Sequence, residues 1–223
     1  MTHPFRMDGR RALITGAAQG IGRAIAVAFH EAGAQVLAHD RDAEKLDVMA
    51  RSHPGLVPLV ADLAQPGSAG ELVSAARGVG TVDILVLCAS VQRRQPWQQA
   101  LCEPAEIELA VNFDATRLLL NGIAPAMAAQ GWGRILAIGS VQERAPRADM
   151  IIYAALKAAQ TNMIMNLANE LGPSGVTCNV LSPGVIETGR NATALADPVY
   201  REKVISSIPA RRLGTPQDCV GPA

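Results

Sequence analysis

Apolar residues along this 223-residue chain fall into short runs separated by longer stretches of helical spacing. The runs "RALIT" (11–15), "QVLAH" (35–39), "LVPLV" (56–60), "DILVLC" (83–88), "RILAIG" (134–139) and "VTCNVL" (176–181) read as strands. The intervening stretches 20–32, 42–52, 67–78, 104–130 and 150–171 carry the spacing of helices. Strands that are apolar on both sides and alternate with helices predict a parallel sheet covered on both faces. Right-handed crossovers make that an α/β doubly wound sheet. No linker, repeat or low-complexity segment divides residues 1–223, so one domain is expected.

Composition narrows the function. Hydrophobic residues make up 49% of the chain but aromatics only 3%, which predicts a core of small side chains between close layers. Twenty basic and twenty acidic residues cancel, and no like-charge run favours nucleic acid or an anionic membrane as partner. The N-terminal "MTHPFRMDGRR" lacks a signal peptide's apolar run, and no segment approaches membrane-spanning length. Cys88, Cys102, Cys178 and Cys219 are scattered without C-x-x-C spacing, which suggests neither zinc nor a disulfide framework. A reduced, cytoplasmic setting is expected.

Candidate chemistry begins at "TGAAQGIG" (15–22), between the first strand and the helix that ends before Gly33. Glycine at 16, 20 and 22, with Gln19 and Ile21 between, permits a tight turn and lets backbone N–H groups approach a pyrophosphate. The positive end of the following helix supports that anion. The same glycines would serve a plain strand-to-helix turn, but their place after the first strand favours a dinucleotide. Asp40, about twenty residues on, can accept from both adenosine ribose hydroxyls and would repel a 2′-phosphate. It could instead cap the next helix, as could Asp42. NAD is expected over NADP, with Arg41 offsetting part of the repulsion.

Tyr153 and Lys157 in "IIYAALKAAQ" share a helical face. Alone they would be an ordinary solvated pair. A tyrosine titrates near pH ~10, and a neighbouring ammonium would lower that value enough for proton transfer to a substrate oxygen. Ser140 follows the fifth strand, at the sheet end where such folds bind ligands. Asn112 sits mid-helix in "LAVNFDA", an unfavourable place unless its side chain is used.

With these residues the chain resembles the short-chain dehydrogenase/reductase family. The matching pieces are "TGAAQGIG", "DRD", "ADL" (61–63), "VNFDAT" (111–116), "AIGSV" (137–141), "YAALK" (153–157) and "SPGVIET" (182–188), and the tail "IPARRLGTPQD" also fits. They run in the family's order over essentially the whole chain. The resemblance implies that Tyr153 is the acid/base and that Lys157 depresses its pKa and holds the nicotinamide ribose. It implies that Ser140 orients the substrate oxygen and that Asn112 holds a relay water. Asp62 and Leu63 would meet the adenine, and Cys88, Ala89 and Ser90 would form the cofactor floor. Pro183, Gly184, Ile186 and Thr188 would line the nicotinamide. Hydride would pass between NAD(H) and a secondary alcohol or ketone without a metal.

Three departures from the family pattern stand out. "LCAS" (87–90) replaces the usual Asn-Asn-Ala-Gly, which predicts a loss of hydrogen bonding at the cofactor floor, with Cys88 acting as a small apolar residue. Leu156 stands where serine is common. The family's last strand has no counterpart after "GTPQDCVGPA", so an exposed sheet edge is expected there. The substrate would be set by 91–98, 141–150 and 189–208, with Arg93, Arg94, Gln142, Glu143, Arg144 and Arg147. If these do not simply face water, they favour a hydroxylated or anionic substrate: a sugar, polyol or hydroxy acid. A 3-oxoacyl-thioester reductase and a non-catalytic NAD-binding protein are the alternatives. The resemblance also implies a homodimer or homotetramer through 104–130 and 150–171.

Overall fold

A computed structural model describes residues 5–223. Its strands are β1 (Arg11–Thr15), β2 (Gln35–Asp40), β3 (Val57–Val60), β4 (Ile84–Leu87), β5 (Gly133–Ile138) and β6 (Val176–Leu181). They form one sheet in the order β3-β2-β1-β4-β5-β6, parallel throughout. The order reverses between β1 and β4, and the crevice at that switch is where open sheets of this kind take ligands.

Alternation along each strand separates two cores. Ala12, Ile14, Val36, Ala38, Ile84 and Val86 pack with α1 (Gly20–Glu31) and α2 (Ala43–Ser52) through Ile25, Phe29, Leu46 and Met49. Leu13, Leu37, Leu85 and Ile135 pack on the opposite face. There they meet α3 (Ser68–Val79), α6 (Ala115–Ala129) and α7 (Ile151–Leu171) through Leu72, Leu119 and Ile164. A strand buried on both faces needs apolar residues at every position, which is why its sequence reads as a continuous run.

The predicted strands β1 to β6 match within one or two residues. The predicted helix over 104–130 is broken into α5 (Glu106–Leu109), a π-helical turn (Ala110–Asp114) and α6. Three short helices were not anticipated: α4 (Trp97–Cys102), α8 (Gly189–Leu195) and α9 (Pro198–Ser207). The start of α9 was readable, since Pro198 opens it and the Asp197 carboxylate accepts from Val199 N at 2.9 Å.

Candidate active site

The C-terminal ends of the strands surround one cavity, and its wall contains every residue predicted for the cofactor except Lys157. Lys157 and Asn112 lie behind that wall, 1% and 0% exposed.

At one end of the cavity, Gly16 and Gly20 have φ of +69° and +56°, a region that disfavours other residues. A Cβ on Gly16 would lie 2.9 Å from Ala89 Cα, and one on Gly22 would collide with the Gly16 carbonyl. The turn therefore packs against both the helix start and the end of β4. No side chain caps α1 and no acidic residue occupies its first turn, which suits an incoming anion. Asp40 accepts from Ala18 N (3.1 Å), Arg41 N (2.8 Å) and Asp42 N (3.2 Å), which fixes its carboxylate at the cavity. The cap of α2 is Asp42, which accepts from Lys45 N at 3.1 Å, so Asp40 is not needed as a cap. These features fit a dinucleotide.

His39, next to Asp40 at the end of β2, was not picked out from the sequence. It is 2% exposed, its Nε2 lies 3.0 Å from the Ala61 carbonyl, and burial lowers its pKa. A neutral ring donating through Nε2 follows.

At "LCAS", where a loss of side-chain hydrogen bonding was expected, the backbone is held by a neighbour. Thr15 Oγ1 accepts from Cys88 N (3.0 Å) and Ala89 N (3.1 Å) and donates to the Val86 carbonyl at 3.3 Å. One hydroxyl on β1 thus ties down the end of β4. Burial pushes the Cys88 thiol up to about 11, which agrees with a small, unreactive residue.

At the other end, Tyr153 is 5% exposed, and burial raises its pKa. Arg190, and then a hydrogen bond from Ser140, pull in the opposite direction. This corrects the expectation that Lys157 lowers the phenol below its usual value. The Lys157 ammonium instead donates to the Ile138 carbonyl (2.7 Å) and Gln160 Oε1 (2.9 Å). Burial brings its own pKa down to about 8. Ser140 caps the short 3₁₀ turn Val141–Glu143, accepting from Gln142 N at 3.2 Å, and its own N–H donates to Glu143 at 2.5 Å.

Asn112 sits in the π-helical turn and grips Val91, donating from Nδ2 (2.8 Å) and accepting at Oδ1 (2.9 Å). Its side chain is therefore committed to the loop after β4. The link from Lys157 to Asn112 runs through protein groups. Gln160 Nε2 donates to Thr116 Oγ1 (2.8 Å), and that hydroxyl donates weakly to the Asn112 carbonyl (3.4 Å). Gln160 and Thr116 were not singled out in the sequence. A polar pair one and two helical turns from a tyrosine or asparagine has no pattern of its own.

Further along the cavity lie Gln142, Arg94, Arg147, Arg190 and Tyr200. Of these, Arg190 and Tyr200 lie in the predicted substrate segment 189–208, on the short helices α8 and α9, but were not singled out within it. The predicted Arg93 and Arg144 are exposed and do not line the cavity.

The family model for the short chain dehydrogenase matches residues 10–198. D-erythrulose reductase of Gallus gallus is 36% identical over 213 residues, covering 95% of this chain and 85% of that protein. L-xylulose reductase of Bos taurus is 33% identical over 217 residues, covering 97% and 88%. Among solved structures, a gluconate 5-dehydrogenase from Burkholderia cenocepacia J2315 in complex with NADP and tartrate superposes with a TM-score of 0.90. It is 33% identical and covers 98% of this chain and 88% of its own. The matched model spans the glycine turn, Asn112, Ser140, Tyr153 and Lys157, and the sheet order agrees: this chain belongs to the short-chain dehydrogenase family.

Proposed function

We propose that the chain is an NAD-preferring oxidoreductase that interconverts a secondary alcohol and a ketone on a small polyhydroxylated molecule. The observation that carries this reading is the buried Tyr153 phenol beside Ser140, in the same cavity as the glycine turn. The nicotinamide, when bound, supplies or accepts the hydride. Tyr153 handles the proton. In reduction its O–H donates to the carbonyl oxygen as hydride reaches the carbon, and in oxidation its phenolate takes the hydroxyl proton as hydride leaves. Because burial raises its pKa, the phenol is protonated at neutral pH, which favours the reductive role there. Ser140 holds the substrate oxygen, and Lys157 stands behind Tyr153 as the buried cation.

Asp40 supports NAD, because its fixed carboxylate suits ribose hydroxyls and repels a 2′-phosphate. NADP in the Burkholderia cenocepacia structure makes this a point for direct kinetics. The reductases of erythrulose and xylulose, together with the polar wall of the cavity, support a hydroxylated substrate. Exposed Leu109, Leu118, Ile151 and Met165 on α5, α6 and α7 support pairing with further copies, readable by light scattering coupled to size exclusion. Four free cysteines agree with a reducing, cytoplasmic setting, and among the described residues no helix is long and apolar enough to cross a membrane.

Tyr153→Phe tests the reading. NADH titration by fluorescence should be little changed, while ketose reduction falls by at least ~100-fold, the scale of a lost general acid. Retained turnover would remove Tyr153 from the chemistry.

A further inference from the structure

The substrate end of the cavity carries a charge that the transfer of a proton and a hydride does not require. The acidic residues in the cavity wall are Asp40 and Asp62, both at the cofactor end. Arg94, Arg147 and Arg190 line the part beyond Tyr153, and no carboxylate lines it with them. They come from three separate places: the loop after β4, the loop after β5, and the first turn of α8.

These groups are held in position. The Arg147 guanidinium donates to Tyr200 Oη at 2.6 Å, and Arg94 approaches the same oxygen at 3.5 Å. The Arg147 backbone N–H is fixed by Gln142 Oε1 at 2.7 Å. Arg190 donates to the Ser90 carbonyl at 2.7 Å. Arg94 is 3.4 Å from Asp149, whereas Arg147 and Arg190 form no ion pair among the described residues. Burial resists ionisation of Tyr200, but Arg94 and Arg147 outweigh it and bring the phenol below its usual value. That shift reports the positive potential at this end of the cavity. Neutral hydroxyls need only dipolar partners, whereas planar guanidinium forks match a carboxylate.

We infer that the substrate is a polyhydroxylated carboxylic acid whose carboxylate is bound by Arg147 and Arg94 across Tyr200, with its reacting carbon at Tyr153. Arg190, nearer the phenol, adds to the attraction. The inference rests on the oxidoreductase reading above and specifies its substrate.

The test uses the purified full chain with saturating NAD and matched pairs that differ in charge: threonate against threitol, xylonate against xylitol, gluconate against glucitol. At least one acid should exceed its alditol by about tenfold or more in kcat/KM, the scale of one charge-assisted hydrogen bond. That preference should shrink by about tenfold in Arg147→Gln, recover in part in Arg147→Lys, and decline with added salt. Thermal unfolding of each variant checks that the fold persists. Turnover confined to the alditols, or an acid preference untouched by Arg147→Gln and Arg94→Gln, overturns the inference and leaves the oxidoreductase reading standing. No turnover of any pair with NAD, and none of the corresponding ketones with NADH, while NADH still binds, removes both.

Discussion

Lys157 and Gln160 lie one turn apart on α7, and the buried ammonium of the first donates to the side-chain carbonyl of the second at 2.9 Å. No carboxylate forms an ion pair with this cation among the described residues; two neutral oxygens accept from it. Burial dominates, so the ammonium is easily lost, with a pKa of about 8. Removing the Gln160 acceptor should make it easier still. In ketose reduction, the alkaline fall of kcat/KM should begin near pH 8 and move to lower pH in Gln160→Leu. In Gln160→Glu it should move higher. A limb unmoved by both variants would mean that Gln160 does not set the charge of Lys157.

The same burial has a consequence for stability. Lys157 titrates at about 8 when folded against an ordinary 10.5, so between these values the unfolded chain binds more protons. Stability from this group therefore rises as pH increases through that window, by up to roughly 3 kcal/mol. Urea unfolding at several pH values should show the rise in the native chain and not in Lys157→Met. Equal pH dependence in the two would place the lysine in contact with water.

Asp40 is the proposed determinant of cofactor choice, and three backbone N–H groups hold its carboxylate in place. The native chain should prefer NAD in kcat/KM. Asp40→Ser should shift the NADP-to-NAD ratio upward by about tenfold or more, since removing one unfavourable charge contact near a phosphate is worth at least ~1.4 kcal/mol. Stronger use of NADP by the native chain would show that Arg41 outweighs the carboxylate.

Two glycines should respond oppositely to alanine. Gly22→Ala drives a methyl into the Gly16 carbonyl, so it should cost roughly 1–3 kcal/mol and weaken cofactor binding. Gly70, near the start of α3, has open space around it, so alanine there should add a few tenths of a kcal/mol through helix propensity. Thermal melts compare them directly.

The sheet was legible because its central strands β1, β4 and β5 are buried on two sides and leave nearly continuous apolar runs, while the edge strands β3 and β6 keep only shorter ones. The helices α4 and α8 were not, since six and seven residues are too few to establish a 3.6-residue period, and α9, as long as α2, buries only Val204 and so shows no apolar stripe. Tyr153, Ser140 and the glycine turn were readable from spacing because they occupy strand ends and one helical face. The state of the phenol was not. Spacing placed Lys157 beside it, but the direction of the shift depends on burial and on Arg190, more than thirty residues away in sequence. Asn112 was noticed for the right reason, an asparagine inside a helix. What it holds, the backbone of Val91, follows from a π-helical turn that no residue pattern announces.

The threonine at the end of β1 has a consequence for how this chain can diverge. Thr15 holds residues 88 and 89 by their N–H groups, which every residue but proline carries. These two bonds therefore do not depend on which side chains stand at 88 and 89, and the end of the strand stays fastened with cysteine at 88. Constraint has passed to a neighbour: a substitution at Thr15 would release both positions at once. Redesign at residues 88 and 89 can therefore change side chains that the packing admits without cutting either bond, provided that one hydroxyl is kept.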